Sequence, residues 1–167
     1  MPERQYLYKG RILNLALQGN LEVVEHAEAV AVIVEEDGKL LFVRQYRPAV
    51  GCETLEIPAG LVDPGETPEQ AALRELAEEA QLTGELHYLT GFYLSPGFCD
   101  EKLHLFRATH IREAYAEPDH DEAITVEWHN PRQVLRNARD GRIQISASAL
   151  AGILFHLSGA ALQLDCE

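Results

Sequence analysis

Three glutamates stand close together in one short stretch of the chain. Glu75, Glu78 and Glu79 follow Arg74 in the segment RELAEE, and in a helix positions i, i+3 and i+4 lie on one face. Like charges at this spacing cost about 0.2–0.5 kcal/mol per pair, and the single Arg74 cannot balance three carboxylates. Because Mg²⁺ prefers carboxylates, waters and phosphate oxygens as ligands, the pattern indicates a site for a hard divalent cation. The alternative is an ordinary solvated helix face.

Other metal and redox chemistry finds no support in the sequence. The three cysteines, Cys52, Cys99 and Cys166, are scattered and form no C-x-x-C pair, and the seven histidines are dispersed along the chain. This argues against a zinc site and a disulfide framework. It favours a reducing compartment, so we expect a cytoplasmic protein.

Charge and length narrow the function classes further. The chain has 167 residues and a formal net charge of −13, which predicts one domain and argues against nucleic-acid binding. A small phosphorylated substrate stays possible if a bound cation offsets the repulsion. No secretory signal or membrane span is expected, and the apolar segment 149–162 predicts a core-packed helix with Leu150, Ile153, Leu154 and Leu157 on its apolar stripe.

The carboxylates must be positioned by a helix with a well-marked start. Thr67 is a good N-cap, Pro68 suits the first helical position, and Gln70 completes a capping box. An Asp37-Gly38 turn predicts a hairpin, and Gly19-Asn20 predicts a second turn. Strands are expected at 6–17, 21–26, 29–34, 39–46, 87–94, 102–108 and 123–128, with a short one in LEIPAG and a helix at 132–139. This mixture predicts an α/β or α+β sandwich with a mixed sheet.

The stretch GLVDPGETPEQAALRELAEEAQL, residues 60–82, resembles the Nudix box, G-x₅-E-x₇-R-E-U-x-E-E-x-G-U with U apolar. Gly60, Glu66 and Arg74 match its spacing, as do the three glutamates. One position departs from the pattern, because Gln81 replaces the late glycine. Either Gln81 adopts the left-handed conformation at a cost of about 1–2 kcal/mol, or the helix continues to Thr83-Gly84.

The resemblance implies a Nudix-type α/β/α sandwich, with additional antiparallel strands at the N-terminus. It also implies attack of water on a phosphorus of a nucleoside diphosphate linked to another group. Mg²⁺, replaceable by Mn²⁺ or another divalent metal, would be held by Glu75, Glu78, Glu79 and the Ala59 carbonyl. Glu78 and Glu79 would also be catalytic, and Gly60, Glu66 and Arg74 would be structural, the last two as an ion pair.

The segments VRQYRPA, LEIPAGLVDPGE and LSPGFCDEKLHLF resemble the ADP-ribose pyrophosphatase branch, which implies hydrolysis of ADP-ribose to AMP and ribose 5-phosphate. In that branch Arg47 would contact the diphosphate; without the resemblance it is a surface arginine beside a turn. By the same resemblance the turn Ser95, Pro96 and Gly97 would shape the ribose pocket. Ile12 and Glu22 would enclose the adenine, although otherwise Ile12 suggests core and Glu22 a solvated strand.

The acidic loop 117–124 is the remaining candidate. By resemblance Glu122 would act as the base or a further metal ligand, with Asp121 and His120 as alternatives and an ordinary solvated loop as the competing interpretation. Residues 1–28 would form strands that pair with a second subunit, and 29–167 the Nudix hydrolase domain, giving a homodimer. The alternatives are another ADP-sugar, dinucleotide or oxidised nucleotide as substrate, a non-catalytic ADP-ribose sensor, or a purely structural acidic domain.

Overall fold

A computed structural model describes residues 3–117 and 123–162 of the chain, with side chains through residue 159. The described residues form ten strands and three helices. Their bounds are β1 Arg4–Lys9, β2 Leu13–Gln18, β3 Leu21–His26, β4 Ala29–Glu36, β5 Lys39–Arg47, β6 Cys52–Glu56, β7 Ala59–Leu61, α1 Pro68–Ala80, β8 Leu82–Tyr93, β9 Lys102–Glu113, β10 Ile124–His129, α2 Pro131–Arg139 and α3 Ala147–Leu162. Among them, no helix is long and apolar enough to cross a membrane.

The larger sheet is mixed and has β4 at its centre. The strand order is β10-β5-β4-β9-β8, with β6 added beside β5 and β7 beside β4. The β4–β9 pair is parallel, from Ala29 opposite Leu103 to Val34 opposite Ala108, and the other pairs are antiparallel. The continuous apolar run at the start of β4 is buried throughout, as expected for a strand covered on both faces.

Alternation along the strands divides the core into two layers. Val30 and Val32 of β4 pack with Leu76 of α1 on one face, whereas Ala31 and Ile33 pack with α3 on the other. Helices therefore cover both faces, which confirms the predicted α/β/α sandwich.

The C-terminal helix α3 only partly follows its predicted apolar stripe. Ile153 is fully buried and Leu157 packs against the core. The prediction was wrong for Leu150 and Leu154, which are 41% and 51% exposed. The helix contacts the sheet along a narrower strip than its apolar composition suggested, because helical periodicity gives a direction for the stripe and not its width.

The N-terminal residues form a separate antiparallel sheet in the order β1-β2-β3. The single strand predicted for 6–17 is wrong: the chain turns between β1 and β2, where the Gly10 amide donates to the Leu13 carbonyl at 2.9 Å. This small sheet is joined to the main unit at β3. The Val24 amide donates to the Phe98 carbonyl at 2.7 Å, and the Asp100 amide donates to the Val24 carbonyl at 3.1 Å.

Candidate active site

The start of α1 is fixed by local chemistry. The Thr67 hydroxyl accepts a hydrogen bond from the Gln70 amide at 3.3 Å, and the Gln70 side-chain oxygen accepts one from the Thr67 amide at 2.8 Å. This is the predicted capping box, and Pro68 occupies the first turn. Ala72 and Leu76 are fully buried against the sheet. Together these features set the rotation of the helix and hence the direction of its acidic face.

Arg74 is the centre of the acidic cluster. Its Nε and Nη2 donate to the two carboxylate oxygens of Glu66, each at 3.0 Å. Its Nη1 donates to Glu75 Oε1 at 2.7 Å and to Glu78 Oε2 at 3.0 Å, and Nη2 also donates to the Leu61 carbonyl at 2.8 Å. The bonds from Arg74 hold the pKa of Glu66 below its usual range. The guanidinium thus ties the box loop, and two of the three helix carboxylates, into one unit.

The absence of a side chain at Gly60 leaves room for the Glu75 carboxylate. A Cβ atom at residue 60 would lie 2.0 Å from Glu75 Oε1 and 2.1 Å from its Cδ, far inside van der Waals contact. The carboxylate therefore packs directly over the backbone of β7. Only glycine leaves this space, which accounts for the first position of the sequence motif.

Glu79 contacts the same segment at the neighbouring residue. Its Oε2 accepts a hydrogen bond from the Ala59 amide at 3.0 Å. The third carboxylate and the residue whose carbonyl was expected to be a ligand are therefore neighbours.

The chemistry of the three carboxylates fits a hard divalent cation. Each of them also accepts a hydrogen bond from the protein. Within 3–117 and 123–162, no three His, Cys, Asp or Glu side chains converge closely enough to hold a metal as they stand. Arg74 Nη1 binds the Glu75 and Glu78 carboxylates together. Three carboxylates beside a backbone strand, with the glycine cradle at Gly60, provide the oxygen ligands that Mg²⁺ prefers.

Gln81 ends the helix in the left-handed conformation, with φ 56° and ψ 36°. Of the two expectations for this residue, the strained cap is confirmed and the longer helix is wrong. The Gln81 side-chain nitrogen donates to the carbonyls of Ala77 at 3.0 Å and Ala116 at 2.8 Å. The Gln81 carbonyl accepts from the Ala114 amide at 2.9 Å. These bonds offset part of the strain, and they attach the segment after β9 to the end of α1.

Arg47 is held by a carboxylate that sequence reasoning missed. Its Nε and Nη2 donate to Glu56 Oε1 and Oε2 at 2.7 and 3.0 Å, and the Thr54 hydroxyl donates to Glu56 Oε1 at 2.6 Å. Burial alone would raise the pKa of Glu56, but the bonds from Arg47 and Thr54 outweigh it and hold the pKa below its usual range. The one hint of this pair in the sequence was the charged residue Glu56 within the otherwise apolar start of LEIPAG.

The predicted turn at residues 95–97 is present beside β3. The amides of Phe98 and Cys99 both donate to the Ser95 carbonyl, at 3.1 and 2.9 Å, so Pro96 and Gly97 lie within a tight turn. Because the Phe98 carbonyl accepts from Val24, this turn lies against the N-terminal sheet.

Ile12 does not lie in the core, which makes that alternative for it wrong. It is 54% exposed and lines a groove of about 340 Å³ with Asp63 and Pro64 of the box loop. Glu22 is an exposed residue of β3. Glu122, Asp121 and His120 lie outside the described residues.

Comparison with known proteins places the chain in a family. The NUDIX domain model matches residues 24–148, which is well over half of the chain. An ADP-ribose pyrophosphatase of Bacillus subtilis is 38% identical over 136 residues, 74% of each chain. A Mycobacterium tuberculosis protein of the same name is 39% identical over 138 residues, 80% of this chain and 66% of that one.

A solved structure with 20% identity agrees in fold. The crystal structure of an ADP compounds hydrolase superposes with a TM-score of 0.78 over 96% of this chain and 93% of that chain. The chain belongs to the NUDIX family and is a Nudix hydrolase. Hydrolases of this family generally use divalent metals.

Proposed function

We propose that this enzyme hydrolyses the pyrophosphate bond of ADP-ribose, yielding AMP and ribose 5-phosphate. The observation that carries the proposal is the complete Nudix cluster on α1, in a chain whose relatives at 38–39% identity are named ADP-ribose pyrophosphatases. An acidic protein with a formal charge of −13 would repel a diphosphate unless a bound cation offset the charge.

Glu75, Glu78, Glu79 and the Ala59 carbonyl would hold Mg²⁺, with Mn²⁺ or another divalent ion as a substitute. When bound, such an ion polarises phosphoryl oxygens and lowers the pKa of water. Arg74 keeps two of these carboxylates gathered, and its pairing with Glu66 fixes the loop that carries Gly60. Positioning and charge stabilisation are the main contributions that the protein can make to phosphoryl transfer.

The remaining assignments concern the substrate. Arg47 would contact the diphosphate, the turn 95–97 the terminal ribose, and Ile12 and Glu22 the adenine. The position of Ile12 in a groove shared with the box loop supports its part of this assignment. Glu122 would serve as the general base.

The N-terminal sheet supports the proposal of a homodimer. Leu7, Tyr8 and Leu21 of this sheet are 52%, 59% and 71% exposed, and exposed apolar surface is often found at interfaces. Residues 1–28 would pair with the second subunit and 29–167 would form the hydrolase domain, in a cytoplasmic protein. Light scattering coupled to size-exclusion chromatography should give the mass of a dimer; a monomer at micromolar concentration would contradict this assignment.

A substrate panel tests the function. ADP-ribose, other ADP-sugars, dinucleotides and nucleoside triphosphates are incubated with the enzyme and Mg²⁺, and AMP or phosphate release is measured. We expect the highest kcat/KM for ADP-ribose. A preference for triphosphates would refute the substrate assignment, and binding of ADP-ribose without AMP formation would indicate a sensor.

A further inference from the structure

The Arg47–Glu56 pair lies on the same face of the sheet as the acidic helix. In the β5–β6 ladder Val43 is opposite Glu56 and Arg47 is opposite Cys52, without a register shift. Val43 packs in the core layer that contains Leu76 of α1. Since alternate residues of a strand share a face, Arg47 and Glu56 also face α1.

Glu56 is unusual because it is a buried carboxylate at the edge of the proposed site. It is 7% exposed and stands three residues before Ala59, whose amide binds Glu79. A buried charge is costly unless it is paired and hydrogen-bonded. Here both carboxylate oxygens are engaged by Arg47, and one of them also accepts from Thr54. The Glu56 carboxylate is therefore held in one orientation, and it can hold the Arg47 guanidinium in one orientation in turn.

The Arg47 side chain is 40% exposed although its partner is buried. A guanidinium has five N–H donors in a rigid plane, and Glu56 takes two of them. Bidentate pairing fixes the orientation of that plane and removes rotamer freedom before any ligand arrives. An arginine held in this way binds a diphosphate without the entropy cost of ordering a free side chain.

We propose that Glu56, supported by Thr54, is a positioning residue that presents Arg47 to the substrate diphosphate; this rests on the function proposed above. The alternative is that Glu56 only neutralises the charge of Arg47, and the two roles predict opposite effects of Glu56→Gln on KM. If Glu56 only cancelled the charge of Arg47, Glu56→Gln would strengthen anion binding and lower KM. If Glu56 orients Arg47, the same change weakens binding, although the local charge becomes more positive.

The test is a double-mutant cycle with Arg47→Ala, Glu56→Gln and the combined variant. We expect Glu56→Gln to lower kcat/KM about 10- to 100-fold, mainly through a higher KM, with the unfolding midpoint recorded for each protein. The combined variant should be no worse than Arg47→Ala alone, because Glu56 acts through Arg47. An unchanged or lower KM in Glu56→Gln, or losses that multiply in the combined variant, would overturn the proposal.

A matched control lies on the opposite face of the same strand. Arg44 donates to Glu127 with the same two distances, 2.7 and 3.0 Å, so Glu127→Gln changes an arginine–glutamate pair of the same bidentate geometry away from α1. It should change kcat/KM by less than about twofold. If Glu56→Gln does not fold, Thr54→Val and Thr54→Ser replace it. The valine variant should lose about fivefold in kcat/KM and the serine variant almost nothing, and equal activity of the two would refute the role.

The cycle is measured on whichever diphosphate the unmodified enzyme hydrolyses best. A preference for a substrate other than ADP-ribose therefore contradicts the proposed function, but it leaves the measured coupling between Arg47 and Glu56 unchanged. If no substrate is hydrolysed, the same four proteins are titrated with inorganic pyrophosphate and Mg²⁺ in a calorimeter. If the changes in binding free energy of the two single variants add up in the combined variant, the positioning role of Glu56 is refuted.

Discussion

Replacing Gly60 with alanine should separate activity from stability. The new Cβ would lie 2.0 Å from Glu75 Oε1, whereas ordinary contacts begin at 3.4 Å, so the carboxylate must move away by more than about 1 Å. The atoms in the way belong to the end of a flexible side chain, so the fold can accommodate the methyl group. The Glu75 oxygen would, however, leave the place where Arg74 Nη1 binds it at 2.7 Å.

Misplacement of a catalytic group by about 1 Å can cost about 100-fold in rate, and we expect a loss of that order in kcat/KM for Gly60→Ala. Steady-state hydrolysis at several Mg²⁺ concentrations measures it, and denaturant unfolding should show a change below about 2 kcal/mol. Gly159→Ala is the control, because its Cβ would meet Arg107 at an ordinary 3.7 Å. About a hundredth of the activity is expected to remain in Gly60→Ala. If more than about a tenth remains, Gly60 is not needed to place the Glu75 carboxylate.

Three further substitutions test other parts of the molecule. Gln81→Gly should have a free energy of unfolding about 1 kcal/mol higher than Gln81→Ala in denaturant titrations. Both variants lose the bond to Ala116, but only glycine relieves the left-handed strain. A less stable glycine variant would contradict this explanation. Glu127→Gln should be less stable than the unmodified protein at pH 7. Hydrogen bonds from Arg44 lower the pKa of Glu127 from 4.5 to about 2, so its stabilisation is present above pH 4.5 and lost as the pH falls towards 2; a gap that widens in acid would refute the assignment. Glu79→Gln should fold normally and lose at least about 100-fold in turnover, and retention of a tenth of the activity would contradict its role as a ligand.

Sequence reasoning succeeded where the interactions are local. The capping box of Thr67 and Gln70 involves residues three apart, and the left-handed cap at Gln81 was one of the two helix ends that the box resemblance left open. Both features depend on backbone geometry that a few neighbouring residues determine. The pairing of Arg74 with Glu66 was accessible only through the family resemblance, because it joins a loop to a helix across eight residues.

The Arg47–Glu56 pair shows why the rest of the site could not be predicted. The register places Arg47 opposite Cys52 and not opposite Glu56, so the side chain reaches diagonally along the ladder. Neither residue type nor alternation specifies that diagonal. The break between β1 and β2 was missed for a different reason, since the turn at Gly10 contains no strong turn dipeptide.

Arg74 and Arg47 share one arrangement. Arg74 binds Glu66, Glu75 and Glu78, and Arg47 binds Glu56. In each case protein carboxylates already balance the guanidinium charge, so the site provides oriented donors and little net positive potential. A diphosphate entering such a site would meet directional hydrogen bonds from the protein, while most of the charge compensation would have to come from a divalent ion. This division of labour explains how an acidic chain can act on an anionic substrate, and why both arginines need their carboxylate partners.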